Sequence, residues 1–208
     1  MNILDTLAKV NLLGLDPSRG VLVFTAYWRP QPSDPNPEQP GERAIITSYL
    51  RTNAKDLCPC GSGKHFGACC QSLPYWQPVC PNPGMPAGYS LLVPQSATFT
   101  HISGDEIYDF LQDDQRLYCI EDAKERIYWT YWGVPALKAP SGIVSFGDIE
   151  LIKNRTLLIN ALSDVRMKTL LDLISPLNLS TPQIQRNPII RLEKPVRKSP
   201  GGKRQRKR

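Results

Sequence analysis

Histidine is scarce in this sequence, and its scarcity limits the chemistry that the chain can perform. Only His65 and His101 occur among 208 residues. Histidine has the ordinary pKa closest to neutral pH, which makes it the most common general base. The acids, among them Asp113, Asp114 and Asp148, show no paired spacing that would indicate a reaction. We therefore name no catalytic residue and expect a binding protein; an enzyme with an unrecognised site in the body is the second alternative.

Long hydrophobic runs are also absent. No apolar run approaches the ~20 residues that a helix needs to cross a bilayer. The N-terminal segment MNILDTLAKVNLLGLDPSRG has Asp5 before its first cation, Lys9. A secretory signal instead begins with positive charge and continues as an uninterrupted apolar stretch. These features predict a cytoplasmic protein without a transmembrane segment, and in that reducing compartment clustered cysteines bind metal more often than they form disulfides.

Positive charge is missing from most of the chain. The net charge of +6 arises at the C-terminal end, because residues 191–208 carry +8 and the first 190 residues carry −2. A cationic segment without apolar anchors binds phosphate backbones through counterion release, and acidic proteins or anionic lipids attract it as well. A purely solubilising tail is the other interpretation. The cations that we expect to contact nucleic acid, the ribosome or an acidic partner are Lys203, Arg204, Arg206, Lys207 and Arg208.

Proline-rich stretches divide the chain into segments. We predict an N-terminal helical region over residues 1–55, with helices at 2–13 and 42–53 around a proline-rich loop. The second helix is based on Ile45 with Tyr49 and Ile46 with Leu50, whereas GVLVFTAYW at 20–28 fits either strand or helix. A cysteine-rich unit at 56–72, a proline-rich connection at 73–88, a body at 89–175 and a disordered basic tail at 176–208 follow.

The body is rich in β-branched and aromatic residues, which favour strands. Two hairpins are predicted, one turning at EDAKE between Ile120 and Arg126 and one turning at Lys153-Asn154. A helix should begin at Ser163 as its N-cap. Its inward residues should be Val165, Leu170, Leu173 and Ile174. The predicted fold class is α+β: a small antiparallel sheet with flanking helices, plus a metal knuckle and a disordered basic C-terminal tail.

The remaining aromatic and cysteine residues of the body favour structural roles. The run IYWTYWG at 127–133 has no interleaved cations, so a strand covered on both faces is favoured over a base-stacking platform. Cys119 is expected to be a small core residue, and Cys80 is expected to lie in the proline-rich loop.

The segment CPCGSGKHFGACC, residues 58–70, holds four of the six cysteines. It contains GSGK, but a phosphate-binding loop needs glycine where Cys58 stands and Ser or Thr where His65 stands. Disulfides would require an oxidising compartment, and the adjacent Cys69 and Cys70 would make a strained pair. A reactive thiolate would need a base, and His65 is expected to be an exposed bystander of the loop.

A metal site explains this segment best. Cys58, Cys60, Cys69 and Cys70 supply the four soft donors that tetrahedral zinc prefers. Gly61 and Gly63 permit positive φ angles, so the turn can direct backbone amides at the sulfurs. Four thiolates on one divalent cation leave a net charge of about −2. We expect Gly61, Gly63 and Lys64 to surround the ion beyond the ligands, with Lys64 offsetting that charge.

The segment resembles the SEC-C motif, the small zinc-binding unit found at the C-terminus of the preprotein translocase ATPase and in many other bacterial proteins. Its pattern is C-x-C-x8-C followed by His or Cys, commonly around CPCGSGK. The resemblance covers about thirteen residues. It implies zinc as cofactor, the same four cysteines as ligands and a bacterial source.

In the translocase the motif docks a chaperone. The function expected here is therefore a zinc-binding, non-enzymatic accessory or adaptor protein that docks a protein partner through the knuckle. An RNA-, DNA- or ribosome-associated protein that uses the basic tail and the knuckle is the first alternative.

Overall fold

The computed structural model describes residues 15–29, 42–84, 88–133, 138–139 and 142–194. Strands dominate these residues. The strands are β1 (Gly20–Arg29), β2 (Glu42–Arg51), β3 (Tyr75–Trp76), β4 (Val79–Pro81), β5 (Tyr89–Leu91), β6 (Gln95–Thr100), β7 (Leu117–Ala123), β8 (Arg126–Tyr131), β9 (Lys138–Ala139), β10 (Gly142–Ser145), β11 (Gly147–Ile152), β12 (Thr156–Ala161), β13 (Gln183–Arg186) and β14 (Leu192–Glu193). The helices are α1 (Gly104–Gln112) and α2 (Asp164–Ile174), and short 3-10 turns occupy Phe66–Ala68 and Ser175–Leu177.

The first sheet is built around β1. Strand β2 pairs antiparallel with β1 over its whole length, from Gly20 opposite Arg51 to Arg29 opposite Glu42. The other edge of β1 is shared by β4, which pairs parallel at Val23, and by β10, which pairs antiparallel at residues 26–28. Strands β5 and β9 extend this edge outward. The cysteine-rich segment lies between β2 and β4 in sequence, so this sheet fixes both of its ends.

The second sheet is a six-stranded antiparallel sheet in the order β13-β6-β12-β11-β8-β7. Its two predicted hairpins are confirmed, since β7 joins β8 and β11 joins β12. Both helices pack on its core through apolar residues that include Ile107, Leu111, Met167 and Leu170. The helix predicted from Ser163 is confirmed, because the Ser163 hydroxyl accepts a hydrogen bond from the Arg166 amide at 3.3 Å.

The fold is richer in sheet than the predicted α+β arrangement. The helix predicted over 42–53 is wrong, because this segment forms β2. A spacing of four residues gives the same face in a helix and in a strand, so Ile45 with Tyr49 could not distinguish the two. Pairing with β1, together with the β-branched residues of the segment, decides for the strand. The run at 20–28 is also a strand, and the helix predicted at 2–13 lies outside the described residues.

Order extends further toward the C-terminus than composition indicated. Strands β13 and β14 lie in the segment that was predicted to be disordered from residue 176. All four residues of β13 are exposed, so backbone pairing with β6 holds it rather than apolar burial. Residues 195–208, with the five cations singled out above, lie outside the described residues.

Two local expectations about burial are also corrected. Val165 is 43% exposed, although Leu170, Leu173 and Ile174 of the same helix are buried as predicted. Cys80 was expected in a loop but is fully buried in β4, where its thiol donates to the Leu162 carbonyl at 3.7 Å. Strand β8 is covered on both faces as predicted, with Trp129 in one core cluster and Tyr128 in another. Neither helix of the described residues has the length and hydrophobicity that a membrane span requires.

Candidate metal centre

The first half of the cysteine segment is a tight turn. The Cys58 amide donates to the Lys64 carbonyl at 2.8 Å, and the Gly61 amide donates to the Cys58 carbonyl at 3.2 Å. An isolated bridge between Leu57 and His65 closes the turn. Gly61 and Gly63 have φ angles of +78° and +72°, a region that side chains with a Cβ rarely adopt. The GSGK sequence therefore forms the turn that carries the chain from Cys60 toward Cys69.

The second half of the segment is anchored by Phe66, which is fully buried. Its amide donates to the Asp56 carbonyl at 2.8 Å, and the next amide, of Gly67, donates to the Ala54 carbonyl at 2.9 Å. The 3-10 turn that begins at Phe66 then brings Cys69 and Cys70 back to the first two cysteines. Phe66 is the one aromatic residue of the sequence CPCGSGKHFGACC, and it could have been predicted as the apolar anchor of this segment.

The four sulfur atoms of Cys58, Cys60, Cys69 and Cys70 all lie within 4.8 Å of one another. The Sγ atoms of Cys60 and Cys69 are 3.5 Å apart, and the Ser62 hydroxyl lies 3.3 Å from the Cys69 sulfur. Zinc–sulfur bonds of about 2.3 Å in a tetrahedron place the sulfurs roughly 3.8 Å apart. The cluster therefore has the size, donor number and donor type that fit one tetrahedral ion.

Crowding drives the pKa values of these thiols apart. A hydrogen bond with Cys70, aided by Ser62 and Cys58, lowers the pKa of Cys60 to about 4 against the effect of burial. Burial raises the pKa of Cys58 to about 11, and the hydrogen bond with Cys60 followed by burial raises the pKa of Cys70. Negative charge therefore collects first on Cys60. A divalent cation deprotonates coordinating thiols and removes this competition.

The cluster is part of the protein core. Cys58, Cys60 and Cys70 are 5%, 7% and 5% exposed. They pack with Phe66 and with three valines of the first sheet, and the valines are Val21, Val23 and Val79. The sequence suggested a knuckle set apart by proline-rich segments, whereas the cysteines share one apolar cluster with β1 and β4.

Lys194 also belongs to this centre, although no pattern in the sequence indicated it. Its ammonium donates to the carbonyl oxygens of Cys70 at 3.4 Å, of Gln71 at 3.2 Å, and of Leu73. Strand β14, which precedes Lys194, pairs with β3 and so carries the C-terminal segment to the cysteines. Burial lowers the pKa of Lys194, and the charge of Cys70 opposes that shift.

The predicted cation Lys64 lies on the turn between Cys60 and Cys69. Its side chain is exposed, and the contact that it makes with the centre is the backbone carbonyl that accepts from Cys58. His65 is exposed and is not among the side chains that cluster around the sulfurs in the described residues. Cys80 and Cys119 lie outside the cluster as well, and Cys119 packs at the edge of the second sheet's core.

The comparisons with known proteins agree with the local character of this centre. Neither the curated proteins nor the solved structures include a match to the chain. A family model matches residues 55–72 only, and the rest of the chain is not recognised. The matched family is the SEC-C motif, a cysteine-rich zinc-binding motif that this chain carries between β2 and β3.

Proposed function

We propose that the protein is a zinc-binding, non-enzymatic adaptor in which Cys58, Cys60, Cys69 and Cys70 hold one structural zinc ion. The observation that supports this most directly is the gathering of four sulfurs within 4.8 Å of one another. Four protein ligands fill a tetrahedral shell and leave no position for water or substrate. The ion then has a structural task, which is to tie the turn at Gly61 and the 3-10 turn at Phe66 to the first sheet.

The surroundings of the sulfurs support a doubly negative metal–thiolate unit. Gly61 and Gly63 adopt positive φ angles in the turn between Cys60 and Cys69. The Lys194 ammonium donates to the carbonyl oxygens of Cys70 and Gln71. Such outer groups orient the ligands and offset their charge.

Metal analysis of the purified chain tests the zinc assignment. We expect about one zinc per chain, lost when Cys58 and Cys60 are both changed to serine. The matched control is Cys119→Ser, which removes a partly buried thiol outside the cluster and should keep the metal. Stoichiometric zinc in the double variant, or a different resident metal in the native chain, would defeat the assignment.

The outer face of the motif is the surface proposed to dock a protein partner. Leu57 is 69% exposed beside the buried Cys58, and Lys55 and Lys64 are exposed on the same short segment. Asp56 is exposed between Lys55 and Leu57, so the two lysines leave this face a surplus of one positive charge. An exposed apolar side chain with that surplus suits an acidic protein segment that offers one apolar contact. The partner that we propose is therefore an acidic segment of another protein.

Affinity purification after nuclease treatment tests the docking surface. A chain that ends at Lys194 removes the basic tail but keeps the contacts of Lys194. We expect a protein partner to survive both treatments and to be lost with Leu57→Asp. The control is Ile184→Asp, since Ile184 is also an exposed apolar residue, 55% exposed, but lies on β13. Equal loss of the partner with both variants would overturn the assignment of the docking surface. The isolated acidic segment of the partner should bind the Ile184→Asp variant but not the Leu57→Asp variant.

Nucleic acid or ribosome association is the alternative function. The observation that favours it is that Lys194, which belongs to the basic C-terminal segment, lies at the cysteine centre. Counterion release would make such binding salt-dependent and insensitive to sequence. Association that disappears on nuclease treatment or on deletion of residues 195–208, while Leu57→Asp leaves it intact, would favour this alternative.

A further inference from the structure

A second polar site lies where the two large sheets meet. Strand β10 belongs to the first sheet and β11 to the second, and only Phe146 separates them in sequence. Beside this crossing is a cavity of about 310 Å³. That volume is at the lower end of cavities that hold small molecules, which span about 300–1,000 Å³.

Two arginines line this cavity, and one of them, Arg166, forms no ion pair among the described residues. Arg166 is 1% exposed. Its guanidinium donates to the Pro81 carbonyl at 2.8 and 2.5 Å and to the Ser145 carbonyl at 3.4 Å. Carbonyl oxygens satisfy hydrogen bonds but supply no net charge. Buried charges in proteins are nearly always paired, so Arg166 is an exception that needs an explanation.

The second arginine is neutralised, which leaves the surplus charge at the cavity positive. Arg43 pairs with Asp148 at 2.9 Å, and that carboxylate is fully buried. One oxygen of Asp148 also accepts hydrogen bonds from Trp28, Thr130 and Ser145. The other oxygen faces Arg43 in the ion pair and has no hydrogen-bond partner among the described residues. Asp148 attracts Arg166 electrostatically but forms an ion pair with Arg43 only, so two arginines share one carboxylate beside this cavity. The Arg43 Nε, buried without a hydrogen-bond partner in the described part of the chain, remains an unused donor there.

The remaining polar lining suits a small polar ligand. The side-chain amides and hydroxyl on the wall belong to Gln95, Ser96, Asn160, Gln185 and Asn187. The amide of Gln95 donates to Asp164 and that of Asn160 donates to Glu150. The amides of Gln185 and Asn187 are therefore the ones that can orient an oxyanion that arginine attracts. Arginine also suits planar carboxylates and phosphates, because its fork of donors matches two oxygens at once.

We propose that this cavity binds a small oxyanion, the carboxylate or phosphate group of a small molecule, as the counter-charge of Arg166. Arg43 and the amides of Gln185 and Asn187 hold the rest of the ligand. The site is independent of the cysteine centre, since none of its lining residues belongs to the SEC-C segment.

Calorimetric titration of the full, metal-loaded chain tests this proposal, with inorganic phosphate and acetate as separate probes. Physiological ionic strength is used because salt screens attraction to surface cations. We expect saturable one-to-one binding of at least one probe, and the preferred probe identifies the oxyanion type. Gln185→Glu adds a negative charge to the wall and should weaken binding roughly tenfold, whether it repels the anion or pairs with an arginine.

Gln183→Glu is the matched control. It introduces the same charge on the same exposed strand, opposite Thr98 instead of Ser96, and Gln183 is not part of the cavity wall. The affinity of this variant should equal that of the native chain. Absence of saturable binding with both probes would overturn the proposal. Equal weakening by both variants would overturn it as well, because it would show attraction to the protein's overall charge.

Discussion

The cysteine centre and the Arg43–Asp148–Arg166 group represent two ways of burying polar side chains in one protein. The four cysteines come from thirteen consecutive residues, and their backbone turn is built from the same residues. The second group is assembled from β2, β11 and α2, which lie far apart in the chain. The first site can form locally once metal is present, whereas the second exists only after the sheets have paired.

This difference has an energetic consequence. A local metal site stabilises what is packed against it, and here the packed residues include valines of β1 and β4. A distributed ionic group instead links elements whose positions other forces already fix. We therefore expect metal loss to cost more than any change of a single charge.

Removal of zinc is expected to have the largest effect. Chelation, or the change of both Cys58 and Cys60 to serine, should lower the free energy of unfolding by several kcal/mol, because isolated zinc units derive about 10–16 kcal/mol from their metal. Denaturant titration followed by far-UV circular dichroism measures the loss. The segment bounds predicted from the sequence, with the knuckle separate from the body, would instead give only a local loosening. An unfolding transition that chelation leaves unchanged would restore that interpretation and separate the centre from the sheet.

Truncation of the buried acid should have the next largest effect. Asp148→Ala leaves Arg43 without its ion-pair partner and leaves two donors, Trp28 Nε1 and Ser145 Oγ, without an acceptor, whereas the Thr130 hydroxyl keeps the Gly147 carbonyl. Breaking a buried pair in this way costs about 3–5 kcal/mol. Thermal or denaturant unfolding of the metal-loaded chain measures it.

The control for this prediction is Asp172→Ala. Asp172 pairs with Lys168 on the surface of α2, and its side chain is 63% exposed. Exposed pairs contribute about 0–1 kcal/mol, so the control should scarcely change unfolding. Similar losses in the two variants would mean that the buried group does not link the sheets.

How well the sequence predicted each part depends on how local its cause is. The turn between β11 and β12 is formed by Lys153 and Asn154, which have φ angles of 49° and 55°. Two successive positive φ angles match the twist of a tight hairpin, and a polar pair at that point is a recognisable signal. The zinc ligands were predictable for the same reason, because number, type and spacing all lie within one segment.

The parts that sequence reasoning missed depend on distant partners. Strand β2 was predicted as a helix because residues four apart share a face in both structures, and only pairing with β1 decides. Lys194 reaches the cysteines because β14 pairs with β3, more than 100 residues earlier. Arg166 was not among the inward residues predicted for its helix, although it is buried and donates to the Pro81 carbonyl of β4. Each of these features depends on contacts between distant segments, which no local sequence pattern encodes.

Lys194, which is distant in sequence, and Lys64, which lies within the motif, can be compared for their contribution to zinc affinity. Lys194→Ala removes an ammonium that holds carbonyls next to two ligands, and such outer groups typically change metal affinity about 10–100-fold. We expect the zinc affinity to fall roughly tenfold, as measured by competition with a chromophoric chelator. Lys64→Ala is the control, since it removes only an exposed side chain and leaves the carbonyl that binds the Cys58 amide. A larger loss of zinc affinity with Lys64→Ala than with Lys194→Ala would instead support Lys64, the residue predicted from the sequence, as the cation that offsets the charge.

The smallest expected effect concerns acid stability at the start of α2. Hydrogen bonds from Arg186 and then Gln95 lower the pKa of Asp164. The folded state therefore binds a proton less readily than the unfolded chain, whose Asp pKa is about 3.9. The resulting stabilisation is present above that pH and is lost as pH falls through the lower, folded pKa. Because the side chain is 63% exposed, solvent screening should keep the contribution under about 1 kcal/mol.

Asp164→Asn should make the decline of unfolding free energy in acid less steep, and denaturant titrations over a series of acidic pH values measure that slope. Asp113→Asn is the control, because Asp113 is exposed and forms no ion pair among the described residues. Asp164, like Asp148, connects elements that are distant in the chain, since Arg186 lies on β13 and Gln95 on β6. An acid dependence that Asp164→Asn leaves unaltered would show that β13 is held by its backbone pairing alone, without help from this ion pair.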